Sequence, residues 1–103
     1  MPYLLVRQKF ENYKRWKPIF DEHGAARQEN GGQGGTLYRN ADDPDEAVTL
    51  FKWDNLENAR RYAQSEDLRD ALQRAGVTVQ PDVYFLEEVE KSDDRLDREV
   101  LSL

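Results

Sequence analysis

The chain has 103 residues, a formal net charge of −6, no cysteine and a single histidine. This length is typical of one domain with a modest core, and the lack of cysteine excludes disulfides, thiolate catalysis and cysteine–metal sites and suits a reducing cytoplasm. Because acidic and basic residues are mixed along an acidic chain, the charge argues against nucleic-acid binding and indicates a solvated surface.

The N-terminal part of the chain predicts a strand followed by a long helix. Its first residues form only a short apolar run without a basic segment, so we expect neither a signal peptide nor a membrane span. Apolar and polar residues alternate over residues 4–10, as in a strand with one solvent-facing side. Residues 11–28 then carry a helical stripe at steps of three and four: Tyr13, Trp16, Phe20, His23 and Arg27. Pro18 lies inside this helix and predicts a kink or break near Arg15.

The middle of the chain predicts a loop and a hairpin. The glycine-rich segment of residues 30–35 follows a helix and opens a strand over residues 36–39. A phosphate-binding loop would instead follow a strand and open a helix, so a flexible connection is the favoured interpretation. The acidic turn of residues 41–46 then joins the second strand to a third one, residues 48–53.

The third strand leads directly into a second helical region, residues 55–75. Asp54 and Glu57 have the spacing of a capping box at its start. Ser65 is predicted to divide the region and to cap its second part, and Gly76 is a natural stop. A last strand follows at residues 83–89.

The order of elements predicts the fold class. Strand, helix, strand, strand, helix, strand with right-handed crossovers gives an α+β, ferredoxin-like βαββαβ domain with both helical regions on one face of the sheet. We assign residues 1–90 to this domain and residues 91–103 to a charged C-terminal tail, which forms at most a marginal helix. The uncovered sheet face carries apolar side chains and predicts a partner, most simply a second copy in a homodimer.

Short segments at helix starts, turns and strand ends resemble the antibiotic-biosynthesis-monooxygenase-like group of the dimeric α/β-barrel superfamily. They are Trp16-Lys17-Pro18, Arg39-Asn40, Asp42-Asp43-Pro44, Trp53-Asp54, Ala59-Arg60, Ser65 with Leu68, and Ala75-Gly76-Val77. The resemblance implies a homodimer whose two sheets pack into a barrel, with a pocket between the sheet and the helices of each subunit. Members include cofactor-independent oxygenases of polyketide phenols, haem-degrading enzymes and isomerases, so the fold alone does not fix the activity.

Few catalytic residues carry over from this group. Trp53 resembles a tryptophan that these proteins often hold at the end of the third strand. The haem-degrading members need a tryptophan where this chain has Tyr62, and a histidine beyond Ser65, where this chain has none. Haem degradation is therefore excluded, and no cofactor is expected.

His23 is the candidate catalytic residue, as a general base facing a pocket. Asp21 and Glu22 are too close in sequence to share its helix face, so no metal site is expected. The alternative interpretation is a partly buried structural histidine that bonds to the backbone or to water.

The candidate substrate-binding residues are four aromatic side chains and one arginine: Tyr13, Trp16, Arg39, Trp53 and Tyr62. The aromatic rings could stack on a phenol or could simply form the core. Arg39 could hold an anionic ligand or pair with the acidic turn that follows it.

Two functions remain open, and in a third hypothesis the tail of residues 91–103 docks across the dimer or onto another protein. The first is a cofactor-independent oxygenase or isomerase that acts on a small aromatic or polyketide-like molecule. The second is a non-catalytic dimeric module that binds a ligand or a protein.

Overall fold

The structure is a computed structural model that describes residues 1–92, so the predicted helical pattern of the tail lies outside the described residues. Eight elements follow one another along the chain. They are β1 (Pro2–Lys9), α1 (Tyr13–Glu22), α2 (Gly24–Glu29), β2 (Gly32–Arg39), β3 (Glu46–Trp53), α3 (Leu56–Ala63), α4 (Glu66–Arg74) and β4 (Asp82–Glu87).

The strands form one antiparallel sheet in the order β2-β3-β1-β4. Each half of the chain contributes a strand, a pair of helices and a returning strand, and the helices pack on one face. This arrangement confirms the predicted ferredoxin-like α+β fold. β2 starts earlier than predicted, at Gly32, with an irregular register between Gly32 and Gly35.

The first helical region does not break near Arg15, where Pro18 led us to predict a break. α1 continues through Pro18, and the helix divides instead at His23, whose backbone N–H still bonds to the carbonyl oxygen of Ile19 at 3.0 Å. The proline removes only one N–H from the helix ladder, and packing of the aromatic stripe against the sheet keeps the helix continuous. The prediction of a break near Arg15 is therefore wrong.

The second helical region breaks as predicted. The hydroxyl of Ser65 accepts a hydrogen bond from the backbone N–H of Leu68 at 3.2 Å, which caps α4. Gly76 ends this region with a φ of +80°, a left-handed conformation that glycine adopts without steric cost.

Asparagine caps the first helix of each half. Asn12 Oδ1 accepts from the N–H of Arg15, and Asn55 Oδ1 accepts from the N–H of Asn58, both at 2.8 Å. The predicted capping box was one residue early, because Asp54 accepts instead from the N–H of Asn55 at 2.7 Å. The two halves therefore start their helices in the same way.

Two clusters of buried side chains form the core. One contains Leu4, Trp53, Ala59 and Tyr62. The other contains Phe10, Trp16, Ala47 and Ala75. Each cluster includes a fully buried tryptophan, so the two tryptophans anchor the helices of the two halves to the sheet.

The face of the sheet away from the helices is more open. The strand register places Arg7 and Lys9 on it, where their side chains pair with Asp82 at 3.0 Å and Asp43 at 3.3 Å. The large side chains exposed on this face are Tyr38, Tyr84 and Leu86.

Candidate functional site

A cavity of about 660 Å³ lies between the sheet and the helices. Val6 and Thr49 line it from the sheet, and Trp16 and Phe20 line it from α1, with their rings stacked at 4.8 Å. The segment of residues 77–81 contributes to one side. The volume is within the range of sites for small organic molecules.

The buried polar residues of the described chain all lie on the wall of this cavity. Gln8, His23 and Thr49 are nearly inaccessible to solvent, and each contributes to the lining. Gln8 Oε1 accepts a hydrogen bond from Trp16 Nε1 at 3.0 Å, which fixes the amide against the indole. A mostly apolar cavity with a few placed polar groups is typical of a ligand site.

His23 lies at the junction between α1 and α2 and has a partner on each ring nitrogen. Its Nδ1 is 2.7 Å from the Tyr62 hydroxyl, and its Nε2 is 3.1 Å from Asp67 Oδ2. An ionised carboxylate only accepts hydrogen bonds, so these partners assign the proton of the neutral ring to Nε2. Nδ1 is then free to accept the hydroxyl proton of Tyr62.

Tyr62 is buried at the end of α3, with its ring packed 5.0 Å from that of Trp53. Burial raises the pKa of Tyr62 to about 12, although the positive charge of Arg27 acts in the opposite direction. The phenol therefore keeps its proton at neutral pH and serves as a hydrogen-bond donor to His23.

Arg27 brings a positive charge to the cavity wall. Its guanidinium lies 4.2 Å from the ring centroid of Phe20 and 4.8 Å from that of Phe51. Burial lowers the pKa of Arg27, and interactions with Tyr62 and Asp21 oppose this effect. The guanidinium nevertheless remains charged, because arginine does not deprotonate in proteins. It is suited to bind an anion beside aromatic surface.

The cavity brings together some of the predicted site residues. His23, Tyr62 and Trp16 line it. Arg27 was seen in the sequence only as part of a helical stripe, but its position one turn beyond His23 on the same face was the available signal. Gln8 falls in phase with Leu4, Val6 and Phe10 on the inward face of β1, and this polar residue in an apolar series was the available signal.

The other three predicted residues lie outside the lining of the cavity. Trp53 is fully buried in the core, and its Nε1 donates to the carbonyl oxygen of Asn30 at 2.9 Å. Arg39 lies 4.4 Å from the ring centroid of Tyr13, and neither residue contributes to the wall. Arg39 thus stacks on an aromatic ring rather than pairing with the acidic turn.

Two further properties concern residues 1–92 alone. Within this range, the His, Asp and Glu side chains form no group of three or more that could hold a metal ion. None of the helices in the same range combines the length and the apolar character needed to cross a bilayer.

No protein-family model matches the chain, and no curated protein matches it. Several solved structures do match it. A candidate antibiotic biosynthesis monooxygenase from Bordetella bronchiseptica superimposes with a TM-score of 0.72 at 14% identity, over 86% of this chain and 97% of the other. A second candidate of this kind, from Nitrosomonas europaea, superimposes with a TM-score of 0.66 at 14% identity, over 87% of this chain and 100% of the other. SnoaB, a cofactor-independent oxygenase from Streptomyces nogalater, superimposes with a TM-score of 0.66 at 15% identity, over 85% of this chain and 94% of the other.

These matches extend over most of each chain at low sequence identity, so they establish the fold. The chain therefore has the ferredoxin-like α+β fold of antibiotic biosynthesis monooxygenase domains.

Proposed function

We propose that the chain is a cofactor-independent oxygenase that acts on a small aromatic or polyketide-like phenol bound in the cavity. The observation that carries this proposal is the position of the only histidine of the chain. It contributes to the wall of an apolar cavity, bonds to a buried phenol and lies near a guanidinium. The structural similarity to SnoaB supports the same class of chemistry.

The cavity suits a planar substrate. Trp16 and Phe20 from α1 and Phe51 from β3 offer aromatic surface. The amide of Gln8 and the hydroxyl of Thr49 offer hydrogen bonds. Ring stacking would supply affinity, and the few polar groups would orient the phenol.

The first step is removal of the phenolic proton. Both nitrogens of His23 already have partners, so the substrate proton passes to the oxygen of Tyr62 while the proton of Tyr62 passes to Nδ1. Tyr62 stays neutral throughout, in agreement with a pKa raised to about 12 by burial. The imidazolium that results is stabilised by the carboxylate of Asp67.

The second step is reaction of the phenolate with dioxygen. The phenolate gives one electron to dioxygen, and the resulting radical pair combines to form a carbon–peroxide bond. The O–O bond then breaks and the distal oxygen leaves as water, which takes the proton returned from His23 and the hydrogen of the peroxide-bearing carbon as its second proton. That carbon becomes a carbonyl, and the product is a quinone. All four electrons that reduce dioxygen come from the substrate, one oxygen atom enters the product and the other leaves as water. The positive charge of Arg27 would stabilise the phenolate and the peroxide anion.

Oxygen uptake tests this proposal. Among naphthols, anthrones and naphthalene diols, we expect at least one compound to consume one dioxygen per quinone formed. His23→Ala should lower kcat by about 10²- to 10⁴-fold, the usual contribution of a general base. Gln28→Ala, on the exposed side of α2, is the control and should keep the wild-type rate. Uptake that does not depend on any of these compounds would contradict the proposal.

A non-catalytic binding module is the second candidate. It is favoured by one observation, which is that both nitrogens of His23 are occupied by partners within the protein. In this case His23→Ala should lower the free energy of unfolding and leave ligand affinity within about twofold, and no phenol should be turned over.

We further propose that two copies pair through the open sheet face. Tyr38, Tyr84 and Leu86 would lose their exposure in such a dimer, and large exposed apolar patches usually mark an interface. A native mass spectrum should show twice the chain mass of 12.1 kDa. Replacing Leu86 by Lys should shift the spectrum to the monomer, whereas a wild-type monomer would contradict the pairing.

A further inference from the structure

We propose that Asp67 is a positioning residue that holds His23 in the Nε2–H tautomer and completes a proton path from the cavity to solvent. The kinetic part of this inference rests on the proposed function, because it concerns the proton that the substrate releases. The tautomer itself is a property of the folded chain and can be measured without a substrate.

The path runs from α3 through the junction of α1 and α2 to α4, where it ends at the surface. Tyr62 is on α3, His23 joins α1 to α2, and Asp67 is in the first turn of α4. The two hydrogen bonds that connect them measure 2.7 Å and 3.1 Å. Exposure rises along the path, from 4% for Tyr62 and 8% for His23 to 67% for the side chain of Asp67. A proton that leaves the cavity by this path therefore reaches water at Asp67.

The direction of the hydrogen bonds decides whether the path can accept a proton. With the proton on Nε2, the Tyr62 hydroxyl donates to Nδ1, and its oxygen can accept a proton from a substrate. With the proton on Nδ1, the imidazole would donate to the Tyr62 oxygen, and Tyr62 would have no acceptor to which it could pass its own proton. The carboxylate of Asp67 selects the first arrangement, because it accepts a hydrogen bond and does not donate one.

A neighbouring carboxylate offers a matched control. Glu66 and Asp67 are both exposed acids in the first turn of α4, where the positive end of the helix dipole favours negative charge. Only Asp67 is within hydrogen-bond distance of His23. A further charged group that acts on the path is Arg27 on α2, which interacts with Tyr62 and is unchanged in both variants.

The test uses ¹⁵N NMR of the imidazole, which is unambiguous because the chain has one histidine. In the neutral imidazole of the wild type, we expect Nε2 to carry the proton and Nδ1 to accept the hydrogen bond of Tyr62. Asp67→Ala should raise the population of the Nδ1–H tautomer roughly three- to tenfold, the range expected for loss of a partly exposed hydrogen bond to a charged group. Glu66→Ala should leave the nitrogen signals unchanged, and Asp67→Glu should restore most of the Nε2–H form.

The effect of Asp67 on turnover is measured separately from the tautomer. If a phenol is turned over, Asp67→Ala should lower kcat about tenfold with little change in KM, and Glu66→Ala should not. Nitrogen signals that are the same in the wild type and in Asp67→Ala would overturn the inference, even if oxygen uptake confirms the enzyme. A tautomer change in a protein that turns over no phenol would support the positioning role of Asp67 and count against the proposed function.

Discussion

The two helix breaks of this chain differ in the contacts that determine them. Each half follows its first strand with an asparagine-capped helix that divides in two, once at His23 and once at Ser65. Ser65 caps the helix that follows it, whereas His23 makes no side-chain cap and bonds instead to Tyr62 and Asp67, which flank the other break. The candidate site therefore forms where the two breaks meet.

This difference separates local from tertiary control. The break at Ser65 depends on a hydrogen bond between residues three apart, which any isolated helix could make. The break at His23 is held by contacts with residues 39 and 44 positions away. Substitutions at His23 should consequently disturb both halves, and substitutions at Ser65 only one.

Replacing His23 should have the largest effect on stability. His23→Ala leaves the buried hydroxyl of Tyr62 without an acceptor and opens a void, so we expect a loss of about 2–4 kcal/mol in the free energy of unfolding. Urea denaturation measures this loss, with Gln28→Ala as an exposed control on the next helix. A loss below about 1 kcal/mol, typical of a surface site, would contradict the tertiary role of His23.

Tyr62 should make stability depend on pH in the alkaline range. Because burial raises its pKa from 10.0 to about 12, the folded state binds this proton more tightly than the unfolded state. The Tyr62 proton therefore contributes fully to the free energy of unfolding below pH 10. As the pH rises through 12, this contribution of roughly 2–3 kcal/mol is lost.

The measurement compares urea unfolding of the wild type, Tyr62→Phe and Tyr38→Phe between pH 8 and pH 12. The alkaline loss specific to Tyr62 should disappear in Tyr62→Phe and persist in Tyr38→Phe, whose side chain lies on the sheet face away from the helices. Equal pH profiles for all three proteins would show that the Tyr62 phenol is not protected from ionisation.

Gln8 tests the polar wall that the first half contributes to the cavity. Gln8→Met keeps the shape but removes the acceptor of Trp16 Nε1, so we expect a loss of about 1–3 kcal/mol. Thermal unfolding measures this loss, and Gln33→Met, at an exposed position on β2, is the control. An unchanged melting temperature would mean that the indole N–H finds another partner.

The caps should give the smallest effects. Ser65→Ala should cost about 1 kcal/mol, and Asn12→Ala and Asn55→Ala should cost similar amounts, because each removes one hydrogen bond at a helix start. Denaturant unfolding of the three variants checks this equality. A markedly larger loss for Ser65 would indicate that the second break also depends on tertiary contacts.

Much of the fold could be predicted from local patterns. Alternating residues located β1 and β4, whereas β2 begins four residues before the predicted strand. Ser65 and Gly76 marked the second break and the end of α4 where the structure has them. Pro18 misled the prediction because the loss of one helical hydrogen bond is smaller than the packing of the stripe around it. Asp54 also misled it, because an asparagine one residue later has the same capping chemistry.

The candidate site was less accessible to sequence reasoning. His23 and Tyr62 could be selected as residue types, but their 2.7 Å contact depends on how the two helix pairs pack. Trp53 was selected as a ligand contact, whereas its indole bonds to a main-chain carbonyl in the core. Two buried tryptophans look alike in a sequence, and only their neighbours distinguish a cavity wall from a core.

The most direct test of the central claim is a titration that follows the imidazole signals of His23 while phenols are added. We predict that a naphthol or an anthrone shifts these signals saturably, with one molecule bound per chain, because the cavity includes the histidine in its wall. Saturable binding that leaves the His23 signals unmoved, or no binding by any member of the panel, would contradict the account.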